Sequence, residues 1–150
     1  MCSPTQEMEP FIWNIRVYYE DTDSGGVVYH ANYLKFMERA RTEWLRSIGV
    51  EQDQLLVQEK VIFAVRSANI DYTKSARFND ALVVVSRLPH IRNVSFTFEQ
   101  KIYLQDEYAN EGEAATLLCS GIVKVASLDG ETFKPKTIPS NLIMELQGAN

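Results

Sequence analysis

The sequence predicts an α+β fold in which one long amphipathic helix lies on an antiparallel β-sheet. Three observations support this class. A strand-like segment opens the chain, a helix with apolar residues at three- and four-residue spacing follows it, and several segments rich in β-forming residues come next. For a chain of 150 residues we expect one domain, 1–150, with residues 1–10 flexible.

The first strand and the helix have the clearest patterns. Residues 12–19 alternate apolar Ile15 and Val17 with polar Asn14 and Arg16, which is the two-residue period of a half-buried strand. Residues 30–48 are predicted to be helical because apolar side chains recur along one face while charged side chains lie elsewhere. Gly49 follows the last apolar position, where a left-handed residue commonly closes a helix.

Four further strands and a short terminal helix complete the prediction. The strands are expected at 61–72, 82–88, 94–104 and 117–128, and the helix at 141–147. Residues 50–60 have a mixed composition that predicts no regular element. The third strand should have one wet face, whereas adjacent apolar residues in 117–128 predict that both faces are covered, by the helix and by another subunit.

Composition excludes several functional classes. The net charge of −5 argues against a nucleic-acid partner, because that affinity comes mainly from Lys and Arg. Residues 1–10 contain no apolar run, so we expect no secretory signal or membrane span and a cytoplasmic location. Cys2 and Cys119 specify no disulfide framework, and with only His30 and His90 as histidines we expect no metal site.

The densest functional signal is a cluster of carboxylates just before the helix. Glu20, Asp21 and Asp23 precede a Gly-Gly turn, and the helix that follows presents unpaired N–H groups. Hydrolysis of a thioester needs a nucleophile or base together with donors for the oxyanion, and this segment contains both. The alternative is that Asp21 and Asp23 only cap the turn and the helix start.

Two stretches decide between these alternatives through resemblance. Residues 17–33 read VYYEDTDSGGVVYHANY and residues 38–43 read ERARTE. They closely resemble the 4-hydroxybenzoyl-CoA thioesterase family, and within it the branch associated with the Tol-Pal system. Weaker similarity extends from about residue 13 to about residue 145, including 72–80 and 134–139.

The resemblance implies a hotdog fold, with a five-stranded antiparallel sheet wrapped around the helix 30–48. It also implies a homo-oligomer, a dimer or a tetramer of dimers, whose protomers pair edge to edge with the active sites between them. The substrate would be an acyl-CoA, with no cofactor. Phospholipid-synthesis or envelope-associated proteins are the further partners that this branch suggests.

The resemblance also assigns roles to individual residues. Asp23 would be catalytic, as nucleophile or as base for water, and the backbone N–H of His30 would polarise the thioester carbonyl. The His30 imidazole has either a structural role or a part in proton transfer. Arg92, Lys134 and Lys136 would contact the CoA phosphates, unless they are ordinary surface charges.

Other residues and functions remain as alternatives. Glu38 is the competing catalytic carboxylate, because another hotdog branch carries its acid on the helix, but here we expect it to pair with Arg41 or Arg39. Four apolar residues should set the depth of the acyl pocket, namely Phe63, Val65, Phe96 and Phe98. The rival functions are an acyl-CoA-binding scaffold of an envelope-associated complex and a hotdog dehydratase.

Overall fold

The structure, a computed structural model, describes residues 9–148, and Cys2 lies outside them. The elements are β1 (Phe11–Arg16), α1 (His30–Ser47), α2 (Gln52–Glu59), β2 (Val61–Tyr72), β3 (Ala81–Ile91), β4 (Ser95–Leu104), α3 (Gln105–Glu111), β5 (Leu117–Asp129) and α4 (Ser140–Gly148). Two 3-10 turns, Tyr19–Asp21 and Gly112–Ala114, complete the set. None of the helices in these residues is both long and apolar enough to cross a bilayer.

The strands form one antiparallel sheet in the order β1-β3-β4-β5-β2. The α+β class and the five antiparallel strands are therefore confirmed. Both β1 and β2 are edge strands, and each pairs with one neighbour on one side only within the described chain. The outer edge of β2 thus leaves a row of backbone N–H and C=O groups along a strand of 12 residues.

Helix α1 covers one face of the sheet with the apolar stripe that its spacing predicted. Phe36, Met37 and Ala40 are fully buried against β3, β4 and β5. Burying a Phe or Met side chain stabilises the fold by about 1.5 to 3 kcal/mol, so Phe36 and Met37 fix the helix on the sheet. The helix ends at Ser47, and Gly49 follows with φ +88°, a conformation that glycine adopts without strain.

Helix α3 covers part of the opposite face, which the sequence did not predict. Val83 and Val84 are neighbours on β3 but belong to different clusters, because successive strand residues point to opposite faces. Val83 packs with Tyr103, whose ring lies 5.2 Å from that of Tyr108 in α3. Hence the expected wet face of β4 is wet only over its first part, and its end is buried.

Three further expectations change in detail. Strand β1 ends at Arg16 instead of residue 19, because the chain turns into the 3-10 segment Tyr19–Asp21. Residues 52–59 form α2. None of its side chains is fully buried, so the sequence has no apolar period there that would have predicted a helix. At the start of β5 both faces are covered, but Leu117 packs with Tyr108 of α3 in the same chain and not with a second subunit, and Ile122 remains 45% exposed.

Candidate active site

The carboxylate cluster lies on a tight hairpin between β1 and α1. The N–H of Asp23 donates to the carbonyl of Val27 at 2.9 Å, and the N–H of Tyr29 donates to the carbonyl of Asp21 at 2.9 Å. Gly26 has φ +79°, and a Cβ on Gly25 would lie 3.3 Å from Asp23 Oδ1. The two glycines therefore allow the turn and the close approach of the Asp23 carboxylate to the backbone.

The two aspartates have different environments. Asp21 is only 6% exposed, and its carboxylate accepts hydrogen bonds from the Tyr18 N–H at 2.9 Å and the Asn32 side-chain amide at 2.8 Å. Asp23 is exposed, and its Oδ1 accepts one hydrogen bond, from the Gly25 N–H at 2.8 Å. Within residues 9–148 its Oδ2 has no hydrogen-bond donor. Asp21 therefore uses both carboxylate oxygens within the scaffold, whereas Asp23 caps the glycine turn with one oxygen and retains the other unused.

His30 is the first residue of α1, directly after this hairpin. In the part of the chain that is described, its backbone N–H has no acceptor, and Tyr29 at the N-cap makes no side-chain cap. The positive end of the helix dipole is therefore open at this point. The imidazole ring lies 4.5 Å from the Tyr29 ring and 5.9 Å from the Tyr72 ring, which gives it packing contacts.

Tyrosines support the start of α1. The Tyr33 hydroxyl oxygen accepts a hydrogen bond from the Ala76 N–H at 2.9 Å, and burial raises the pKa of Tyr33. Its ring packs 5.7 Å from Tyr72, the last residue of β2. Sequence reasoning had not singled out Tyr72 as part of this site. The available signal was an aromatic residue at a strand end just before a loop.

A second feature is a cavity of about 140 Å³ between α1 and the sheet. All four residues expected to set the acyl pocket line it, namely Phe63, Val65, Phe96 and Phe98. The α1 side contributes Glu38, Arg41 and Thr42. The structure therefore brings the predicted apolar residues together in one cavity with a polar rim.

The predicted ion pair of Glu38 is wrong. No Arg–Glu pair within 4.0 Å joins Glu38 to Arg39 or Arg41 in residues 9–148. Glu38 Oε2 instead accepts a hydrogen bond from the Thr42 hydroxyl at 2.7 Å. The reason is that Arg41 turns towards the sheet, where its Nη1 donates to Gln100 Oε1 at 2.9 Å.

Comparison with known proteins identifies the family. Residues 25–109 match the family model described as the thioesterase superfamily. The chain belongs to this superfamily. It is 40% identical over 137 residues to the acyl-CoA thioester hydrolase YbgC of Escherichia coli, covering 91% of this chain and 96% of that one.

Solved structures agree with this assignment. A probable thioesterase from Bartonella henselae is 32% identical with a TM-score of 0.72. The match covers 88% of this chain and 100% of that one. The 1,4-dihydroxy-2-naphthoyl-CoA thioesterase Slr0204 of Synechocystis has a TM-score of 0.81 at 22% identity, over 93% of this chain and 96% of that one, which concerns the fold alone. The hotdog fold of this thioesterase is therefore confirmed.

The three predicted CoA contacts lie away from Asp23 of the same thioesterase chain. The hairpin before α1 sits at the Tyr72 end of β2, and Tyr72 pairs with Cys119 on β5. Arg92 is in the turn before β4, whose first residue Ser95 pairs with Ala126. Cys119 and Ala126 are seven residues apart, so these ends are about 23 Å apart at about 3.3 Å per residue.

Of these cations, Lys136 is already engaged. Its ammonium donates to the Glu59 carbonyl at 2.9 Å and lies 3.8 Å from Asp129 Oδ2. Arg92 and Lys134 are exposed. The Asp23 end of this thioesterase has different cations, Lys74 and Arg77, which line a cleft of about 400 Å³ and were missed by sequence reasoning.

No candidate metal centre is found in the described chain. Nowhere in residues 9–148 do three or more His, Cys, Asp or Glu side chains gather in a way that could hold a metal ion. Cys119 is buried in the core of the thioesterase, and burial together with the charge of Asp71 raises the pKa of its thiol to about 12. This thiol is therefore protonated at neutral pH and a poor nucleophile.

Proposed function

We propose that this protein hydrolyses acyl-CoA thioesters to the free acid and CoA, with Asp23 as the catalytic carboxylate. One observation carries the proposal: an exposed carboxylate with an unused oxygen shares a hairpin with the open N-terminus of α1. The name of the Escherichia coli relative, an acyl-CoA thioester hydrolase, supports the substrate class. Asp21, by contrast, belongs to the scaffold of this hairpin.

The chemistry follows from these two groups. Asp23 either removes a proton from water, which then attacks the thioester carbon, or attacks that carbon itself to form an anhydride that water cleaves. In both routes the carbonyl oxygen becomes negatively charged and accepts a hydrogen bond from the His30 N–H. The C–S bond breaks as this charge collapses, and the thiolate of CoA leaves and takes up a proton. This gives the free acid directly in the first route; in the second it gives the anhydride, which water then splits into the free acid and the Asp23 carboxylate.

The site is expected to be shared between two copies of the chain. At about 1.5 Å per residue, Arg41 lies about 16 Å along α1 from His30, which is too far for a short acyl group to span within one chain. The unpaired edge of β2 offers a surface for a second copy, and β2 supplies Phe63 and Val65 to the cavity. We therefore infer a homo-oligomer in which Asp23 of one protomer serves the cavity of its partner.

The same arrangement accounts for the predicted CoA contacts. Arg92, Lys134 and Lys136 of one protomer would lie with the Asp23 end of the other, because two copies paired antiparallel bring opposite ends of their sheets together. Arg92 and Lys134 are the better candidates for the CoA phosphates, since the ammonium of Lys136 already has partners in its own chain.

Release of CoA thiol from a panel of acyl-CoA thioesters tests the proposal. The wild type should release thiol, Asp23→Asn should lose about 10²- to 10⁴-fold of the turnover, and Glu38→Gln should keep most of it. Turnover that survives in Asp23→Asn but disappears in Glu38→Gln would transfer the role to the helix carboxylate. Acyl-CoA binding without thiol release by the wild type would favour the scaffold function.

Dilution tests the shared site separately. If two copies build each site, specific activity should fall as the protein is diluted through the dissociation range of the oligomer, as measured by sedimentation. Activity that is constant down to a fully monomeric sample would contradict the shared site while leaving the role of Asp23 intact.

A further inference from the structure

Arg41 is a half-buried arginine with little compensation for its charge. Its Nη1 donates to Gln100 Oε1 at 2.9 Å, and throughout residues 9–148 no carboxylate lies within 4.0 Å of the guanidinium. Burial lowers the pKa of Arg41. A guanidinium has five N–H donors, and a donor without an acceptor away from water costs about 1 to 3 kcal/mol. Among the described residues no Arg41 nitrogen is both buried and without a partner, so solvent reaches the remaining donors. They need an acceptor when a bound tail displaces that solvent.

Gln100 holds this arginine in a fixed position. The side chain is fully buried, and its Nε2 donates to the Met37 carbonyl at 3.0 Å and to Ser86 Oγ at 2.9 Å. With both amide hydrogens committed, the oxygen of Gln100 can only face Arg41. A buried network of hydrogen bonds therefore holds one guanidinium in place. Such a network is destabilising unless all its members have partners.

The space in front of Arg41 is the cavity of about 140 Å³. Its apolar wall includes Phe63, Phe96 and Phe98, and the guanidinium carbon lies 6.0 Å from the centre of the Phe98 ring. These aromatic walls offer no hydrogen-bond acceptor, and the polar part of the lining is formed by Glu38, Thr42 and Gln52. A cavity of about 150 Å³ is known to hold benzene, so this one fits a tail of about six non-hydrogen atoms.

Glu38 determines which charge an acyl tail should carry to bind beside Arg41. Its carboxylate lines the same cavity and tends to raise the pKa of Arg41, which means that the two opposite charges act on one another. Because Glu38 already offsets part of the positive charge, a second carboxylate would gain less from Arg41 and would be repelled by Glu38. A neutral oxygen acceptor can bind the free N–H groups without that repulsion.

On the basis of the proposed thioesterase function, we propose that Arg41 is a specificity-determining residue. It selects acyl groups that have a neutral oxygen acceptor, such as a ketone, along the tail, and disfavours plain alkyl tails of the same length. An alkyl tail would fill the apolar part of the cavity but displace water from the guanidinium without replacing its hydrogen bonds. That loss would raise the barrier for the alkyl substrate.

The test compares kcat/KM for hexanoyl-CoA with that for its 3-oxo, 4-oxo and 5-oxo derivatives, with glutaryl-CoA as the anionic substrate. In the wild type, the best oxo derivative should exceed hexanoyl-CoA about tenfold or more, as expected for one hydrogen bond to a charged group. Arg41→Met should bring this ratio close to one, mainly by lowering the oxo rate. Arg39→Met, which removes an exposed arginine from the same helix, should leave the ratio unchanged.

Each outcome has a defined meaning. If Arg41→Met does not fold, the wild-type ratio alone remains decisive. A wild type that hydrolyses hexanoyl-CoA at least as well as every oxo derivative, or that prefers glutaryl-CoA to all of them, overturns the inference. A ratio that survives in folded Arg41→Met also overturns it. Absence of thiol release from every substrate would instead refute the proposed function.

Discussion

Replacing Asp21 by alanine removes a buried carboxylate that accepts two hydrogen bonds in the turn before α1. Hydrogen bonds to charged groups are worth about 1.5 to 3 kcal/mol each, so the loss should be about 3 kcal/mol or more. The substitution also leaves the Asn32 amide, which is 8% exposed, without its acceptor. At about 2 to 4 °C per kcal/mol for a domain of this size, the Tm should fall by about 6 to 12 °C.

Asp23→Asn is the matched comparison, because it changes a carboxylate two residues away in the same hairpin. Asp23 is exposed, and an asparagine keeps the oxygen that accepts the Gly25 N–H. The free energy of unfolding of Asp23→Asn should therefore stay within about 0.5 kcal/mol of the wild-type value. Thermal unfolding followed by circular dichroism, together with thiol release on the same samples, separates stability from turnover.

Two aspartates of the same hairpin should therefore respond in opposite ways. Asp21→Ala should melt early, while Asp23→Asn should melt like the wild type and yet fail to turn over substrate. Equal melting of Asp21→Ala and wild type would show that the buried hydrogen bonds contribute nothing net. A large drop in Tm for Asp23→Asn would make its carboxylate structural and undermine its catalytic role.

Three other predictions concern the core and the turn. Gln100→Leu should lower the free energy of unfolding by about 2 to 4 kcal/mol in urea titrations, because Arg41 loses its acceptor; an unchanged midpoint would contradict this. Gly25→Ala should slow thiol release with little change in Tm, since the new Cβ lies 3.3 Å from Asp23 Oδ1; wild-type rates would mean that the carboxylate need not keep this position. The pKa of the Cys119 thiol is about 12 in the folded chain and about 8.5 in the unfolded chain. Above pH 9 the unfolded chain therefore loses this proton first, and the free energy of unfolding should fall as the pH rises towards 12. The fall should be smaller in Cys119→Ala.

The elements that the sequence predicted are those whose burial follows a period. Helix α1 was found because its apolar stripe is continuous, and the alternation of Phe96, Phe98 and Ile102 located β4. No side chain of α2 or α3 is fully buried, and Tyr108 of α3 is only partly buried, so no periodic pattern marks these helices. Local propensity alone was too weak a signal for these short helices.

The candidate site was only partly readable for a related reason. Two aspartates two residues apart have the same local chemistry, and what distinguishes them is a hydrogen bond from Asn32, eleven residues after Asp21. Gln100 lies in the apolar row of β4, and a polar residue in such a row was an available signal of a buried network. The distance between Arg92 and Asp23 depends on the register in which the strands pair. That register cannot be read from the spacing of residues along the chain.

Helix α3 has a practical consequence for anyone who engineers this chain. The connection between the last two strands is the kind of surface segment where affinity tags and inserted domains are usually tolerated. Here the segment shields Val83, Val85 and Tyr103, and Glu113 anchors it through a 2.6 Å ion pair with Arg87. An insertion there would uncover an apolar patch on the back of the sheet, so aggregation during expression is the expected result, and fusions belong elsewhere.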